Sequence, residues 1–256
     1  MQIRQIRNAT IVLNYGGITF LIDPFLARQG TYPPFPNTPN QEQWNPTVEL
    51  PIPVDDIVQA DAVIVTHLHP DHFDAAAIEA LPKDMRMIAQ SEKDAKVIEE
   101  AGFHNVEWLD SISEIGEIRL HRTSGKHGLG EIGNLMGEVS GVAFSHADEP
   151  TLYIAGDTIW CDDVHAAIDA HRPEVIVVNA GAAQFLEGDP ITMTKEDVYR
   201  THMEAPQATI IVSHMESVNH CLLTREELKS YIADKGLSSN ILVPADGESL
   251  SFRSSR

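Results

Sequence analysis

The segment His67-Leu68-His69-Pro70-Asp71-His72 packs three imidazoles and one carboxylate into six consecutive residues. Imidazole nitrogen and carboxylate oxygen are the donors that suit zinc and similar divalent ions. The apolar stretch Ala62–Val65 just before it reads as a short buried strand. Side chains alternate along extended backbone, so His67 and His69 point to the same side. Pro70 then turns the chain, which lets Asp71 and His72 face a second metal. Multiplied residue frequencies put such a run in about a few per thousand chains of this composition, so chance is a weak explanation.

One such cluster cannot complete two coordination shells. Three further metal-competent residues follow apolar strands: His127 in Ser124-Gly125-Lys126-His127-Gly128, Asp157 in Ala155-Gly156-Asp157-Thr158, and His214 in Val212-Ser213-His214. The carboxyl ends of strands are where ligand sites of α/β sheets gather. Singly each would pass as a polar loop residue; their shared placement changes the odds.

These positions need a scaffold. Two β-rich runs, 9–13 and 17–22, are broken at Asn14-Tyr15-Gly16-Gly17, a hairpin signal. Residues 27–55 hold seven of the fifteen prolines together with Tyr32, Phe35 and Trp44. Proline removes a backbone donor, so this stretch cannot propagate helix or central strand and reads as an ordered lid. Beyond it strands and helices alternate. Helices are expected over 74–81 capped by Asp74, 91–101, 162–170, 194–203 with Thr194 and Asp197 as a capping pair, and 224–234 capped by Thr224. Strands are expected over 85–89, 106–109, 117–122, 139–144, 151–154, 175–178, 208–212, 241–243 and 249–252. The six glycines of 125–141 lack the order of a phosphate-binding loop and read as a mobile flap around His127. Early antiparallel strands followed by βα alternation predict an α/β, four-layer αββα sandwich forming one domain.

Composition bounds the function. At 43% hydrophobic residues the chain can fill a core. The formal net charge of −20 repels polyanions and offers no basic stripe, so nucleic acid is not an expected partner. No apolar run approaches the ~20 residues of a membrane span. The charges in Met1–Arg7 interrupt any secretory signal, and two cysteines, Cys161 and Cys221, are too few for a disulfide scaffold. The expected address is the cytoplasm, the expected partner a small-molecule substrate, with no membrane partner and a homo-oligomer left open.

The motif set resembles the metallo-β-lactamase superfamily: the H-x-H-x-D-H run at His67, His69, Asp71 and His72, the later histidine at His127, the aspartate of a G-D-T context at Asp157, and the final histidine at His214. Leu21-Ile22-Asp23-Pro24-Phe25 and Ala155-Gly156-Asp157-Thr158 look like the branch that includes ascorbate-6-phosphate lactonase. The resemblance implies the same αββα sandwich. It assigns one metal to His67, His69 and His127 and another to Asp71, His72 and His214, with Asp157 bridging. Two divalent ions per chain are implied, zinc first, with manganese or iron also suited to these ligands. The expected activity is a dinuclear metal-dependent hydrolase that uses a metal-bridging hydroxide on a small ester or lactone. The alternative is a phosphodiesterase acting on a small substrate. Asp71 is the residue expected to orient the nucleophile or carry a proton. Asp23, Glu216, Asn219 and His220 are candidate substrate contacts. Asp23 reads equally as a partner of a metal-bound histidine or a turn cap, and the other three as members of a capped loop.

Overall fold

Packing period, more than local propensity, decides how these segments assemble. The structure is a computed structural model that describes residues 1–110 and 112–253. It contains fourteen strands and seven helices among the described residues. The first sheet is built from β1 (Gln2–Arg7), β2 (Thr10–Tyr15), β3 (Ile18–Ile22), β4 (Ala62–Val65), β5 (Arg86–Ala89), β6 (Asn105–Trp108) and β14 (Ser249–Ser251), in the order β14-β1-β2-β3-β4-β5-β6. The second uses β7 (Ile112–Ile115), β8 (Ile118–Ser124), β9 (Ser140–Ser145), β10 (Leu152–Ile154), β11 (Val175–Asn179), β12 (Thr209–Ser213) and β13 (Ile241–Leu242), in the order β13-β12-β11-β10-β9-β8-β7. Each sheet is antiparallel in one half and parallel in the other.

The central strands are apolar on both faces, as strands covered on both sides must be. Along β11, Val175 and Val177 enter the core between the sheets while Ile176 and Val178 face the helices outside. In β4, Ala62 and Ile64 point inward, Val63 and Val65 outward. Helices α1 (Val54–Ile57), α2 (Ala75–Ala80) and α3 (Glu92–Glu100) supply residues to the outer core of the first sheet. Helices α5 (Asp162–His171), α6 (Lys195–Glu204) and α7 (Arg225–Asp234) supply residues to that of the second. The layers run helix, sheet, sheet, helix.

Local chemistry starts the helices as expected. Asp74 accepts from the Ala77 amide, Thr224 from Glu227, and Thr194 with Asp197 forms a reciprocal capping box; Ser91, not singled out from sequence, accepts from Asp94 in the same way. Four elements depart from expectation, two of them short: α1 begins inside the proline-rich 27–55 stretch, and β7 lies where no strand was expected. The glycine-rich 125–141 stretch is not an irregular flap: it contains helix α4 (Gly130–Met136). Close packing requires glycine here, since a Cβ on Gly133 would lie 2.6 Å from the Gly128 carbonyl oxygen. The charged N-terminal segment, given no element from sequence, is β1, paired on both sides. Among the described residues no helix is long and apolar enough to cross a membrane.

Residues 27–53 form a strap with little regular structure, pinned by the Tyr32–Asn45 bridge. It reaches the region where the carboxyl ends of β4, β8, β10 and β12 converge.

Candidate metal centre and active site

The loop after β4 is shaped by a residue outside it. Asp23, immediately after β3 and at φ +45°, accepts from the Thr66 amide at 2.7 Å and the Thr66 hydroxyl at 2.8 Å. Its Oδ2 lies 2.9 Å from His72 Nδ1. That contact turns His72 Nε2 toward Asp157 Oδ2 and His214 Nε2, each at 3.2 Å. His127 is tethered the same way, Nδ1 2.7 Å from the Ile191 carbonyl and Nε2 3.5 Å from Asp157 Oδ2. His67 has Nδ1 3.2 Å from the Thr66 hydroxyl, while its buried Nε2 has no hydrogen-bond partner. His69 is reversed: its Nε2 lies 3.1 Å from the Met136 carbonyl at the end of α4. One nitrogen of each ring is thus anchored by protein, the arrangement that fixes ring orientation at metal sites.

Asp157 sits after β10 behind Gly156, whose φ of +69° disfavours any side chain and where an added Cβ would lie 2.5 Å from the Ser140 carbonyl oxygen. Asn179, the last residue of β11, donates to Asp157 Oδ1 at 2.8 Å and leaves Oδ2 to the histidines. His214 follows β12 at φ +60°, with Nε2 3.2 Å from Asp71 Oδ2. Three sets have donor atoms within 4.8 Å of one another: His67, His69 and His127; His67, His72 and Asp157; and Asp71, His72 and His214. The structure therefore brings all seven sequence-chosen residues together.

Asn8, in the turn between β1 and β2 and at φ +53°, was not anticipated. Its Nδ2 lies 3.0 Å from the Asp71 carbonyl and 3.2 Å from Asp71 Oδ2, and its own carbonyl accepts the His214 amide at 3.0 Å. The available sequence signal, an asparagine after a strand, announces a left-handed turn rather than a site.

Charges inside this buried cluster work against burial. Burial alone would strip His72 of its proton, but the Asp157 and Asp23 carboxylates outweigh it and raise the pKa to about 10. His214 is likewise raised against burial, chiefly by Asp157. Burial would raise Asp71 and Asp157, yet the surrounding imidazoles hold both well below the usual carboxylate range. His67 and His127 are lowered, mainly by burial.

Of the candidate substrate contacts, His220 lines the cavity over this cluster. The other three are engaged by the protein itself. Asp23 lies under His72. Glu216 accepts from the Arg225 amide at 2.9 Å and Arg225 Nη1 at 2.8 Å. Asn219 is fully buried and bonded to the strap, accepting the Phe35 amide at 3.1 Å. Substrate contact by these three is therefore revised: their polar atoms already hold other parts of the chain. The cavity measures about 330 Å³. Phe35, Pro36, Leu135, Met136, Phe185 and Ile191 supply its apolar wall, and His69, Asp71, His127 and Asp157 its polar floor. Its lining includes no lysine or arginine.

A two-sheet sandwich with a His/Asp cluster at the strand ends defines a class, and comparison with known proteins agrees. The family described as "Beta-lactamase superfamily domain" matches residues 19–215. The chain belongs to that superfamily and, within it, to the UPF0173 family of metal-dependent hydrolases. It is 53% identical to UPF0173 protein YddR of Bacillus subtilis over 254 residues, 98% of this chain and 100% of the relative. It is also similar to the crystal structure of an isothiocyanate hydrolase from Delia radicum gut bacteria, with 44% identity and a TM-score of 0.96 over 99% of this chain and 100% of that one. The structure of a possible metal-dependent hydrolase from Veillonella parvula is 40% identical with a TM-score of 0.96, covering 98% and 99% of the two chains.

Proposed function

We propose that the protein hydrolyses small, uncharged, largely apolar molecules at an electrophilic carbon, organic isothiocyanates first, with esters and lactones in the same class. The observation that carries this reading is an apolar cavity opening directly onto the His/Asp cluster with no cationic side chain in its lining. The 44% identical relative named for isothiocyanate hydrolysis supports the choice of substrate. A phosphodiester, or the phosphorylated substrate suggested by the likeness to ascorbate-6-phosphate lactonase, would bring an anion to a cavity without lysine or arginine. The net charge of −20 adds long-range repulsion.

The cluster fits divalent metal. The buried, partnerless Nε2 of His67 is an orphan whose desolvation costs about 1–3 kcal/mol, and a metal ion would satisfy it. His67, His69 and His127 would hold one ion and Asp71, His72 and His214 a second, with Asp157 between them. Zinc is the first choice, and manganese or iron suit the same donors. When bound, such a pair lowers the pKa of water and polarises the group under attack. The chain's residues do the rest. The Asp71 carboxylate, held by Asn8, would orient the attacking water or carry a proton to the leaving group. The wall of Phe35, Met136 and Phe185 keeps bulk water from the substrate. Water added across the carbon of R–N=C=S, with its proton passed to nitrogen, gives a thiocarbamic acid. Breaking the C–N bond of that acid leaves an amine and carbonyl sulfide.

One metal-loaded preparation tests the reading against benzyl isothiocyanate, phenyl acetate, γ-butyrolactone and bis(p-nitrophenyl) phosphate, each with a chelator control. Chelator-sensitive cleavage of the neutral substrates should exceed that of the phosphodiester by at least about 100-fold in kcat/KM. Preference for the phosphodiester would sink it.

Loading should also release protons. The raised pKa values of His72 and His214 leave the metal-free cluster protonated near neutrality, and coordination requires free imidazole. Zinc added to chelator-stripped protein in weak buffer is expected to acidify the solution, and apparent affinity to rise with pH. Uptake that is independent of pH would contradict the protonated cluster.

A further inference from the structure

We propose that His220 is the hydrogen-bonding anchor that seats the substrate's heteroatom in the apolar cavity, held in place by the clasp between Asn219 and the strap. This inference rests on the neutral-substrate reading above.

His220 is 8% exposed and lines the cavity, yet its Nδ1 is buried with no hydrogen-bond partner. Buried polar atoms in folded proteins are nearly all paired, so a cavity-lining imidazole with an unpaired nitrogen points to a ligand. The other polar side chains of the lining have partners or another task. His69, Asp71, His127 and Asp157 belong to the metal cluster. Thr38 donates to the Phe35 carbonyl at 2.7 Å and accepts from Asn219 Nδ2 at 2.8 Å. Burial lowers the His220 pKa to about 4. A neutral imidazole carries one donor and one acceptor and matches an uncharged ligand without needing a counter-charge.

The anchor's position is set by its neighbour. Asn219 Oδ1 accepts from the Phe35 amide and, at 3.0 Å, from Asn45 Nδ2. Asn219 Nδ2 also donates to the Pro39 carbonyl at 2.7 Å, and the Asn219 amide to Asn45 Oδ1 at 2.8 Å. The His220 ring meets Phe35 edge-on, with centroids 4.7 Å apart. One apolar wall and one polar anchor are therefore locked together by a single buried amide. The ligand that matches has an apolar group beside one hydrogen-bonding heteroatom: the nitrogen or sulfur of an isothiocyanate, or the oxygen of an ester.

The test uses metal-loaded full-length protein and two probes, N-benzylthioacetamide, which carries a hydrogen-bonding thioamide, and butylbenzene, which carries no heteroatom. Calorimetry on wild type, His220→Leu and His220→Gln reads binding, with metal content and circular dichroism as folding controls. His220→Leu should weaken thioacetamide binding about ten-fold, leave butylbenzene within about two-fold, and raise KM for benzyl isothiocyanate more than it lowers kcat. His220→Gln, which keeps a donor and an acceptor, should recover most of the loss. Equal losses for both probes, unchanged thioacetamide affinity in His220→Leu, or no thioacetamide binding by wild type would each overturn the anchor. His220-dependent binding by a wild type that cleaves no isothiocyanate would leave the anchor standing and remove the proposed reaction instead.

Discussion

Replacing Asp157 with alanine is expected to empty the metal centre and lower kcat/KM by at least about 10³-fold, a loss of roughly 4 kcal/mol of transition-state stabilisation. Asp157 Oδ2 is the atom on which the cluster converges, 3.2 Å from His72 Nε2 and 3.5 Å from both His127 and His214 Nε2. Without it the facing nitrogens of His72 and His214, 3.2 Å apart, lose the carboxylate that offsets their charge. Metal analysis by mass spectrometry and the rate on benzyl isothiocyanate read the two effects separately. The helices should survive, because Asp157 contacts site residues rather than the three apolar cores, so far-UV circular dichroism should be unchanged. A folded Asp157→Ala protein that keeps its full metal content and rate would show that the centre is not organised around this carboxylate.

The second large effect is on stability and comes from Arg7. Its side chain is fully buried. Nη1 donates to the Val48 carbonyl at 3.0 Å, and Nη2 to those of Phe25 and Ala27 at 2.7 and 2.8 Å. These three carbonyls lie at the two ends of the strap, and the guanidinium also stacks 5.0 Å from the Phe25 ring. Burial lowers the Arg7 pKa to about 10, which still leaves it charged at neutral pH, with Asp74 the largest opposing influence. Asp74 grips the same root, accepting the Leu26 and Ala27 amides at 3.1 and 2.8 Å. Arg7→Met keeps the apolar stem and removes the donors. It orphans three carbonyls and leaves Asp74 without its nearby cation. The expected loss is about 3–5 kcal/mol, seen as a lower urea midpoint and a Tm reduced by roughly 10 °C. Limited proteolysis should then cut first between residues 28 and 48. A change under about 1 kcal/mol would mean that backbone contacts alone hold the strap's root.

Both residues bear on how much of the protein its sequence announces. Asp157 stood out through the placement after an apolar strand that it shares with His127 and His214, and through the G-D-T context of the family resemblance. The H-x-H-x-D-H run and the caps Asp74, Thr194 and Thr224 were legible directly, since in each cap a short side chain meets an amide three residues on. Arg7 gave no such signal. In the sequence its charge reads only as a break in any secretory signal, and carbonyls from residues 25, 27 and 48 are what make its burial tolerable. The glycine-rich stretch did mislead. Glycine disfavours helix locally, and the close approach of α4 to Gly128 overrides that preference.

The sequence by itself determined the strand and helix alternation, the two-sheet sandwich and the seven histidines and aspartates that meet in it, because period, caps and donor types are properties of neighbouring residues. Tertiary structure alone decided which imidazole nitrogen faces inward, that Asn8 and Asn179 orient the two inner carboxylates, and that Asn219 clasps the strap while His220 enters the cavity. Those choices depend on hydrogen bonds between residues far apart in the chain and on left-handed backbone at Asn8, Asp23, His214 and Glu216. Such conformations cost about 1–3 kcal/mol each in isolation and persist only where the surrounding fold imposes them.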